Sequence, residues 1–474
     1  MPVPVISISQ MREWEQSSWQ AGRAEGEVIR QAGRSVAERA QNLTGPGDTV
    51  LILAGKGHNG DDARMAQAHL VDRRVCLLEV TDPAVAAEEF AGYLAPRPHL
   101  VIDGLFGIGL NRALNADWVR LIGLINQSRV PVLAVDVPSG LNADTGGVFG
   151  AAVQATVTLT LGAPKRGLLE PGAWRHVGRL EVASEIGLVP CPISGELNWT
   201  LPEDFAGYPP SRPVDGHKGV FGHIVILAGS LGYHGAAVLA ARAALRARPG
   251  LVTLLTQEAV YGPVASQLQA AMVHPWRAAW PLPDSCTAFL VGPGLADPRL
   301  SAEFESEIRY LWEHSPLPVI VDASALDWLP AGEPLARAVR VITPHPGEAA
   351  RMLGTTTAKV QRDRRVAVSE LSRRFGSSWV VLKGHQTVVG RDTGEVFVNC
   401  SGNPGLAQGG SGDVLAGYLG GLLAQPALQA EVFRTVRYGV WQHGADADRL
   451  GRERSDWTIE DLLEGLGRAS ATGP

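Results

Sequence analysis

The segment NPGLAQGGSGDVLAG (residues 403–417) joins a glycine-rich loop to the start of an apolar helix. Such loops typically cradle an anion, because free N–H groups and the helix dipole favour negative charge there. This loop delivers a carboxylate, Asp413, and no Lys-Ser/Thr pair stands beside it, which excludes the phosphate loop of P-loop enzymes. The pattern is explained if backbone N–H groups hold a phosphate while Asp413 takes a proton from a hydroxyl that attacks it. The alternative is an acid that only stabilises its helix.

Outward from this segment, short β-branched runs alternate with Ala-, Leu- and Arg-rich helical stretches in both halves of the chain. This alternation predicts parallel sheets covered by helices. The strands predicted in the first half are TVLILAG (49–55), RVCLLEV (74–80), HLVIDG (99–104), PVLAVD (131–136) and ATVTLTL (155–161). Those predicted in the second half are HIVILAG (223–229), GLVTLLT (250–256), AFLVGPG (288–294), PVIVDA (318–323), RVITPHPGE (340–348) and WVVLKG (379–384). Ligands are expected at the carboxyl ends of these strands.

Length and one proline-rich segment set the domain organisation. With 474 residues the chain is too long for one ordinary core, so two domains are expected. The segment LPEDFAGYPPSRPVDG (201–216) carries prolines and glycines that interrupt any helix or strand, as in a linker. We therefore place the boundary near residue 210, which gives domains 1–210 and 211–474. The halves do not align as a repeat, so two different α/β units are expected.

The composition argues against several functional classes. Hydrophobic residues make up 45% and charged residues 19% of the chain, as in a globular protein. A formal net charge of −6 without a basic cluster argues against nucleic-acid binding. The start MPVPVISISQMREWEQ lacks a signal-peptide pattern and no segment has the uncharged length of a membrane span, so we expect a cytoplasmic protein. The four cysteines are scattered without a CxxC pair, which favours neither a disulfide framework nor a zinc site.

Three loops at predicted strand ends mark a candidate site in the first domain. They are AGKGHNGDDA (54–63), DGLFGIGLNR (103–112) and DVPSGLNADTG (136–146), and each combines glycine with an acid. Turn chemistry alone explains one such loop, but three at consecutive strand ends favour a binding site. The oxygen-bearing side chains of Asn59, Asp103 and Ser139 suit a hard, potassium-like cation. Asp136 ends a buried strand, where desolvation would raise its pKa enough for a general base; the alternative is a helix N-cap.

Further strand-end loops mark the second domain. In TPHPGE (343–348), prolines hold His345 rigidly, which favours a ligand role over a purely structural one. The segment LKGHQTVV (382–389) offers Lys383 and a glycine turn between two strands, suited to nucleotide phosphates. The segment HKGVFGH (217–223) is either part of a site or only a turn at the domain entry.

These motifs together resemble the bifunctional NAD(P)H-hydrate repair enzyme family. The resemblance rests on GHNGDDA, DGLFGIG and DVPSGLNADTG, followed by HKGVFGHIVILAGS, GPG, TPHPGEAARML, VLKG and NPGLAQGGSGDVLAG. It covers nearly the whole chain in the order of the family, and DVPSGLNADTG and GGSGD are its most specific segments. It implies two three-layer α/β/α domains, a Rossmann-like first domain and a ribokinase-like second domain.

The resemblance also implies two activities. The first domain would epimerise the R and S forms of hydrated NADH or NADPH, an isomerase activity. The second domain would be a lyase that dehydrates the S form with ADP, releasing reduced cofactor, AMP and phosphate. Magnesium would accompany ADP, and potassium would bind in the first domain. The partners implied are the hydrates and ADP, with no nucleic acid or membrane, and the family suggests a homo-oligomer.

The resemblance assigns roles to individual residues. Potassium would be bound by Asn59, Asp103 and Ser139. Hydrated cofactor in the first domain would contact His58, Asn59, Gly60, Asp61, Asp62, Gly107 and the catalytic Asp136. In the second domain the hydrate would contact Gly294, His345 and the catalytic base Asp413. The nucleotide would be held by Lys383, Gly384, His385, Gln386, Thr387 and Gly412.

Two segments depart from the pattern of the family. Where the family commonly shows NNGGDG, this chain has HNGDDA (58–63), so His58 replaces an amide and Asp61 adds a charge. The segment VDASALDWL (321–329) has Ser324 where the family usually has an acid. The alternative to the repair enzyme is a small-molecule kinase in the second domain, fused to a first domain that binds a ligand without catalysis.

Overall fold

The computed structural model describes residues 2–95 and 97–471. The chain divides into two compact units, Met1–Gly195 and Glu196–Pro474. Both units consist of parallel strands with helices between them, which confirms the predicted α/β class. Each sequence run predicted as a strand contains one.

The first unit alternates strands and helices along the chain. Its strands are β1 (Val3–Pro4), β2 (Thr49–Ala54), β3 (Arg74–Glu79), β4 (Leu100–Gly104), β5 (Val132–Val135), β6 (Val157–Leu161) and β7 (Arg179–Ala183). Its α-helices are α1 (Ile8–Gln20), α2 (Glu25–Leu43), α3 (His58–Ala66), α4 (Pro83–Tyr93), α5 (Ala116–Gln127) and α6 (Trp174–Val177). Short 3-10 turns lie at Gln67–His69 and Arg166–Leu169.

The sheet of the first unit has the strand order β3-β2-β4-β5-β6-β7, and all its pairs are parallel. The chain passes from β2 outward to β3 and then returns to the other side of β2 as β4. This reversal is a topological switch point, and it opens a crevice beyond the carboxyl ends of β2 and β4. The three loops singled out in the sequence follow β2, β4 and β5, so they meet at this crevice.

Alternation along the strands builds the two outer layers of the first unit. In β2, Val50 and Ile52 pack with residues of α2 and α3, whereas Leu51 and Leu53 pack with α4 and α5. All four side chains are fully buried. A strand apolar on both faces requires helices on both faces, which is the predicted three-layer arrangement.

The second unit has a longer succession of elements. Its strands are β8 (Leu197–Trp199), β9 (His223–Leu227), β10 (Leu251–Thr256), β11 (Met272–Pro275), β12 (Ala288–Val291), β13 (Val319–Val321), β14 (Arg340–Ile342), β15 (Trp379–Leu382), β16 (Val388–Gly390) and β17 (Val396–Val398). Its α-helices are α7 (His234–Arg246), α8 (Tyr261–Ala265), α9 (Ala302–His314), α10 (Pro346–Leu353), α11 (Thr357–Arg362), α12 (Arg364–Arg374), α13 (Ser411–Leu423), α14 (Pro426–Gln429), α15 (Val432–Glu453) and α16 (Ile459–Gly465). Short 3-10 turns lie at Pro202–Phe205, Glu258–Val260, Ala323–Trp328 and Pro404–Leu406.

Within the second unit the strand order is β8-β17-β16-β15-β14-β13-β12-β9-β10-β11. The pairs are parallel except where β16 meets β15 and β17. Val225 and Leu227 of β9 pack on the face that carries α9, α10 and α12, and Ile224 and Ile226 pack on the face that carries α7, α13 and α15. The second unit is therefore also a three-layer sandwich.

The boundary between the units differs from the sequence-based boundary near residue 210. Strand β8 pairs in parallel with β17, with Leu197 opposite Val396 and Trp199 opposite Val398. Because this pairing adds β8 to the second sheet, the chain enters the second unit at Glu196. The proline-rich segment expected to be the linker lies inside the second unit.

Candidate active sites

Asp103 and Ser139 are bonded to each other at the crevice of the first unit. Asp103, in β4, and Ser139, just after β5, are both fully buried. The Ser139 hydroxyl donates to Asp103 Oδ1 at 2.6 Å, and the Ser139 N–H donates to Asp103 Oδ2 at 2.9 Å. Burial raises the pKa of Asp103, while these bonds and the Leu105 N–H oppose the shift.

Asn59 reaches the same loop from the first turn of α3. Its side chain lies against Gly107, where a Cβ would stand 3.1 Å from Asn59 Oδ1. In turn, the Phe106 N–H donates to Ser139 Oγ at 2.9 Å. Asn59 and Ser139 therefore both contact the loop at residues 103–107, which begins with Asp103, the third residue of the predicted set.

The donor set at this loop fits a monovalent cation. Asn59 is 9% exposed, and its Oδ1, the amide atom that can bind a cation, lies against Gly107. In the described part of the chain, Asp103 has no ion pair with a basic side chain. A buried carboxylate, amide and hydroxyl that lack a neutralising protein cation suit a hard ion bound through oxygen.

Asp136 is held by a lysine. It follows β5 with a φ of 63°, a left-handed conformation that is uncommon outside glycine. Its Oδ1 accepts from Lys165 Nζ, from Thr160 Oγ1 at 3.0 Å and from the Leu161 N–H at 3.0 Å. The Lys165 side chain is 0% exposed, so this is a buried ion pair. The pairing of Lys165 with Asp136 was not predicted from the sequence.

A second acid, Asp62, stands in the same electrostatic cluster. Burial raises the pKa of Asp62 to about 8, and the carboxylates of Asp136, Asp61 and Glu15 add to the shift. Burial also raises the pKa of Glu15, on α1, a residue that the sequence reasoning missed. The cluster thus combines an acid that keeps its proton at neutral pH, Asp62, with an acid paired to an ammonium, Asp136.

The raised pKa of Asp62 predicts that the first unit loses stability as the pH rises. With a folded-state pKa of about 8 and a usual value of 3.8, the folded protein keeps a proton that the unfolded chain releases. The free energy of unfolding therefore falls between these two pH values. Asp62→Asn cannot ionise, so its stability should depend less on pH in this window. Thermal unfolding of wild type and variant between about pH 5 and pH 8 measures this; parallel profiles would contradict it.

Of the other predicted residues of this loop, His58 and Asp61 lie on the outer side of α3 and Gly60 is buried. His58 is exposed, with Nε2 3.5 Å from Glu25 Oε1. Asp61 accepts from Arg64 NH1 at 2.7 Å. Gly60 is required by packing, because a Cβ there would collide with the Gly55 carbonyl.

In the second unit, Lys383 organises the predicted nucleotide site. Its Nζ donates to Asp322 Oδ1 at 2.6 Å and lies 3.9 Å from Glu348 Oε2. Burial disfavours the ammonium, but the nearby carboxylates of Asp322 and Glu348 outweigh this, so the pKa of Lys383 is raised. Asp322 also accepts from Thr343 Oγ1 at 2.6 Å. The sequence reasoning missed Asp322 as a site residue, although it ends a predicted strand.

Asp413 lies in the first turn of α13, beside this group. Burial raises the pKa of Asp413 to about 7, Asp322 adds to the shift, and Lys383 opposes it. Gly410, at the N-cap, has a φ of 95° and no side chain caps the helix. A Cβ at Gly412 would stand 3.3 Å from Lys383 Nζ. The glycines therefore leave the N-terminus of α13 open to an anion, with the Asp413 carboxylate beside it.

His345 caps helix α10 in the structure. The Nδ1 of His345 accepts from the Gly347 N–H at 2.9 Å. The backbone N–H of His345 donates to Glu348 Oε2 at 2.7 Å. The side chain is 53% exposed. The structural role that the sequence left as the alternative is present, and a ligand role for the exposed ring stays a prediction.

The remaining predicted residues lie at strand ends of the second sheet. Gly294 has a φ of 66°, and its carbonyl accepts from Ser230 Oγ at 2.7 Å. Gly384, with a φ of 123°, and Gln386, with a φ of 53°, form the turn after β15. Thr387 Oγ1 donates to the Gly384 carbonyl at 3.0 Å, and His385 is exposed.

Another histidine lies close to this site. His443, on α15, is 5% exposed, and its Nε2 has no hydrogen-bond partner. Burial lowers the pKa of His443 to about 4, and Lys383 adds to the shift while the Ser411 backbone opposes it. The imidazole is therefore neutral at pH 7. No sequence motif marks His443, because it lies inside a long helix that is distant from the glycine-rich loop in the sequence, although close to it in space.

The described residues do not form a metal centre from His, Cys, Asp and Glu side chains alone. Within residues 2–95 and 97–471, no group of three or more His, Cys, Asp or Glu side chains is arranged to hold a metal ion. Magnesium in nucleotide sites is normally bound by one or two carboxylates together with phosphates and water. Asp322 Oδ2, which lies near Gly412, fits that role.

In the same described residues, no helix combines the length and apolar character needed to cross a membrane.

Both units match known families. A family profile described as "NAD(P)H-hydrate dehydratase" matches residues 224–466, and one described as "YjeF-related protein N-terminus" matches residues 77–167. The bifunctional NAD(P)H-hydrate repair enzyme Nnr of Coxiella burnetii is 34% identical over 469 residues, covering 94% of this chain and 94% of that protein. The Escherichia coli enzyme of the same name is 34% identical, covering 90% of this chain and 85% of that protein.

Solved structures match the second unit. The ADP/ATP-dependent NAD(P)H-hydrate dehydratase of Bacillus subtilis, co-crystallised with ATP and Mg²⁺, is 30% identical with a TM-score of 0.51. The match covers 57% of this chain and 96% of that chain. A ribokinase-like superfamily protein of Enterococcus faecalis is 25% identical with a TM-score of 0.50, covering 59% and 97%. The ribokinase-like fold of the second domain is thereby confirmed.

These matches extend over both units and share the two-domain order. They favour the repair enzyme over the alternative of a small-molecule kinase fused to a non-catalytic domain. The resemblance seen in the sequence is confirmed: the chain belongs to the family of bifunctional NAD(P)H-hydrate repair enzymes.

Proposed function

We propose that the first unit epimerises the R and S hydrates of NADH and NADPH and that the second unit dehydrates the S hydrate with ADP. The observation that carries the second activity is Asp413, whose pKa is raised to about 7 at the open N-terminus of α13, beside Lys383. A base poised near neutral pH next to an anion site suits phosphoryl transfer to a hydroxyl. Family membership supports both activities.

The dehydratase reaction then proceeds in two stages. Asp413 takes the proton of the hydrate hydroxyl, whose oxygen attacks the β-phosphorus of ADP as the bond to AMP breaks. The backbone N–H groups at the start of α13 and the Lys383 ammonium stabilise the negative charge on the transferred phosphoryl group. Phosphate then leaves with the C–O bond and the neighbouring carbon loses a proton, which restores the double bond of the reduced nicotinamide.

The ion pairs around Lys383 orient it for this step. Asp322 Oδ1 and Glu348 Oε2 fix the ammonium from one side, and Gly412 leaves its other side open to phosphate. The residues from Gly384 to Thr387 form the turn expected to hold the nucleotide. Magnesium, when bound with ADP through Asp322, would neutralise phosphate charge.

The acids of the first unit suit epimerisation. The hydroxyl-bearing carbon must open one bond and close it again on the other face, so one proton has to be taken and returned. Asp136, which is paired with Lys165, would accept that proton, and Asp62, whose pKa is raised to about 8, would donate one at neutral pH. Two acids with different protonation states provide the required pair. Asn59, Asp103 and Ser139 would bind potassium beside them, and the cation would supply fixed positive charge near the substrate.

The test is the absorbance of the reduced nicotinamide after mixing purified protein with a racemic hydrate, ADP and magnesium. Full recovery, faster than spontaneous epimerisation allows, is expected from the two activities together. A fast recovery of about one half, followed by a slow phase at the uncatalysed rate, would support the dehydratase activity and contradict the epimerase activity. No recovery with ADP or ATP would contradict the proposed function and favour the kinase.

The pKa of Asp413 predicts the pH dependence of the dehydratase. Because a general base must be ionised, kcat/KM should fall as the pH drops through about 7. The pH profile with the S hydrate and saturating ADP measures this, and glutamate at the same position (Asp413→Glu) should shift the inflection. A profile that is flat between about pH 6 and pH 8 would contradict the role of Asp413.

A further inference from the structure

We propose that Arg64, Glu79 and Asp61 make the first unit prefer the hydrate without a 2′-phosphate, NADH hydrate, over NADPH hydrate. This inference rests on the proposed epimerase function and adds its specificity. It uses a group of side chains at the outer edge of the crevice, away from Asp136.

The loop after β2 has the spacing of a dinucleotide-binding turn. Gly55, Gly57 and Gly60 form G-x-G-x-x-G between a strand and a helix. A Cβ at Gly55 would collide with Leu105, and one at Gly60 with Gly55, whereas a Cβ at Gly57 would meet open space. The turn and the helix–strand contact thus need glycine, and Gly57 leaves room for a pyrophosphate to approach the N-terminus of α3.

The same pattern places the ribose of the adenosine half at the end of the next strand. In such units an acid about 20 residues after the glycines contacts the ribose 2′-hydroxyl, and a nearby arginine accommodates a 2′-phosphate. Glu79, the last residue of β3, occupies the place of that acid. Arg64, on α3, is the arginine beside it.

Arg64 is already engaged with protein acceptors. Its Nε and NH2 donate to the Glu79 carboxylate at 2.9 and 2.6 Å. NH1 donates to Asp61 at 2.7 Å, and NH2 also donates to the Gly55 carbonyl at 2.7 Å. Four of the five N–H groups of the guanidinium are therefore in use. The hydrogen bond with Arg64 lowers the pKa of Glu79, so this carboxylate is ionised at neutral pH.

The charge of this group disfavours a phosphate. Two carboxylates surround one guanidinium, and releasing Arg64 to a 2′-phosphate would leave both carboxylates without their partner. A 2′-hydroxyl, by contrast, can donate to Glu79 without breaking the ion pairs. One uncompensated unit charge about 4 Å from a phosphate, screened by water as at this exposed group, lowers binding by about fivefold.

The experiment measures kcat/KM for epimerisation of NADH hydrate and NADPH hydrate by the full chain without ADP, so that the dehydratase is silent. Wild type should favour NADH hydrate by about fivefold. Glu79→Gln removes one negative charge and one acceptor of Arg64. It should therefore bring the ratio of kcat/KM for NADH hydrate to kcat/KM for NADPH hydrate closer to one. Its matched control is Glu88→Gln, which removes a carboxylate from a similarly short but exposed pair with Arg120. That control should keep the wild-type ratio. Raised ionic strength should bring the wild-type ratio closer to one, because salt screens the exposed charges.

The outcomes separate this inference from the epimerase function. Equal rates with both hydrates, or a preference for NADPH hydrate, would overturn the inference while the epimerase stands. A preference that Glu79→Gln changes no more than Glu88→Gln would also overturn it. Absence of epimerisation with either hydrate would remove the proposed function itself. Thermal unfolding of both variants establishes that a changed ratio comes from folded protein.

Discussion

Asp413→Asn is expected to lower dehydratase kcat by about 10²–10⁴-fold, the range that a positioned general base contributes. The amide keeps the size of the side chain but cannot accept the hydroxyl proton. The first unit does not contain Asp413, so epimerisation of the hydrates should continue at the wild-type rate. Coupled measurement of AMP release and of the R-to-S ratio follows both activities in one sample.

The control for this variant is Asp456→Asn, a change of an exposed carboxylate in the same unit. It should leave both activities at their wild-type values. Because burial and the neighbouring carboxylates raise the pKa of Asp413, its ionised form opposes folding, so Asp413→Asn should not lower the melting temperature at neutral pH. An Asp413→Asn protein with a dehydratase rate within a few-fold of wild type would exclude Asp413 as the base.

Lys165→Met is expected to destabilise the first unit by about 3–5 kcal/mol and to abolish epimerisation. The Lys165 and Asp136 side chains are 0% and 10% exposed, so the substitution leaves a buried carboxylate without its cation. Asp62 and Glu15 are close enough to act on the same charge cluster, which adds to the cost. Hydrogen exchange of peptides from β5 and β6, compared with peptides of the second unit, reports the loss for the first unit alone.

A double variant separates the cost of an unpaired charge from the loss of packing. Asp136→Asn combined with Lys165→Met removes both charges and should recover part of the stability without recovering activity. The matched control for stability, Lys56→Met, changes an exposed lysine of the loop after β2 and should leave the hydrogen-exchange protection of β5 and β6 unchanged. Unchanged protection in Lys165→Met would show that the ion pair does not hold this part of the fold.

The candidate sites show how far the sequence reaches. The strand-end rule predicts Asn59, Asp103 and Ser139 at one edge of the sheet, and the structure brings them to the loop at residues 103–107. The roles of these residues in binding remain predictions. The rule did not identify Lys165 or Asp322, because the sequence does not show which side chain faces which across a sheet.

The boundary shows a different limit. Prolines and glycines in residues 201–216 predicted a linker, yet β8 lies before this segment and joins the second sheet. A three-residue strand has too little sequence to show a period, and its place is fixed by the partner strand. Strand β11 was not predicted either. Its four residues lie at the edge of the sheet and alternate between exposed and partly buried positions.

Apolar runs, glycine loops and specific motifs are local features, and they suffice to predict the α/β class, the two domains and the family. The ion pairs and the protonation states of the sites depend on the tertiary structure. Lys383 meets Asp322 across 61 positions of the chain, and Lys165 meets Asp136 across 29. Burial and charge neighbours at those meeting points raise the pKa of Asp413 to about 7 and of Asp62 to about 8. Such shifts depend on the packing of distant segments, which no local pattern encodes.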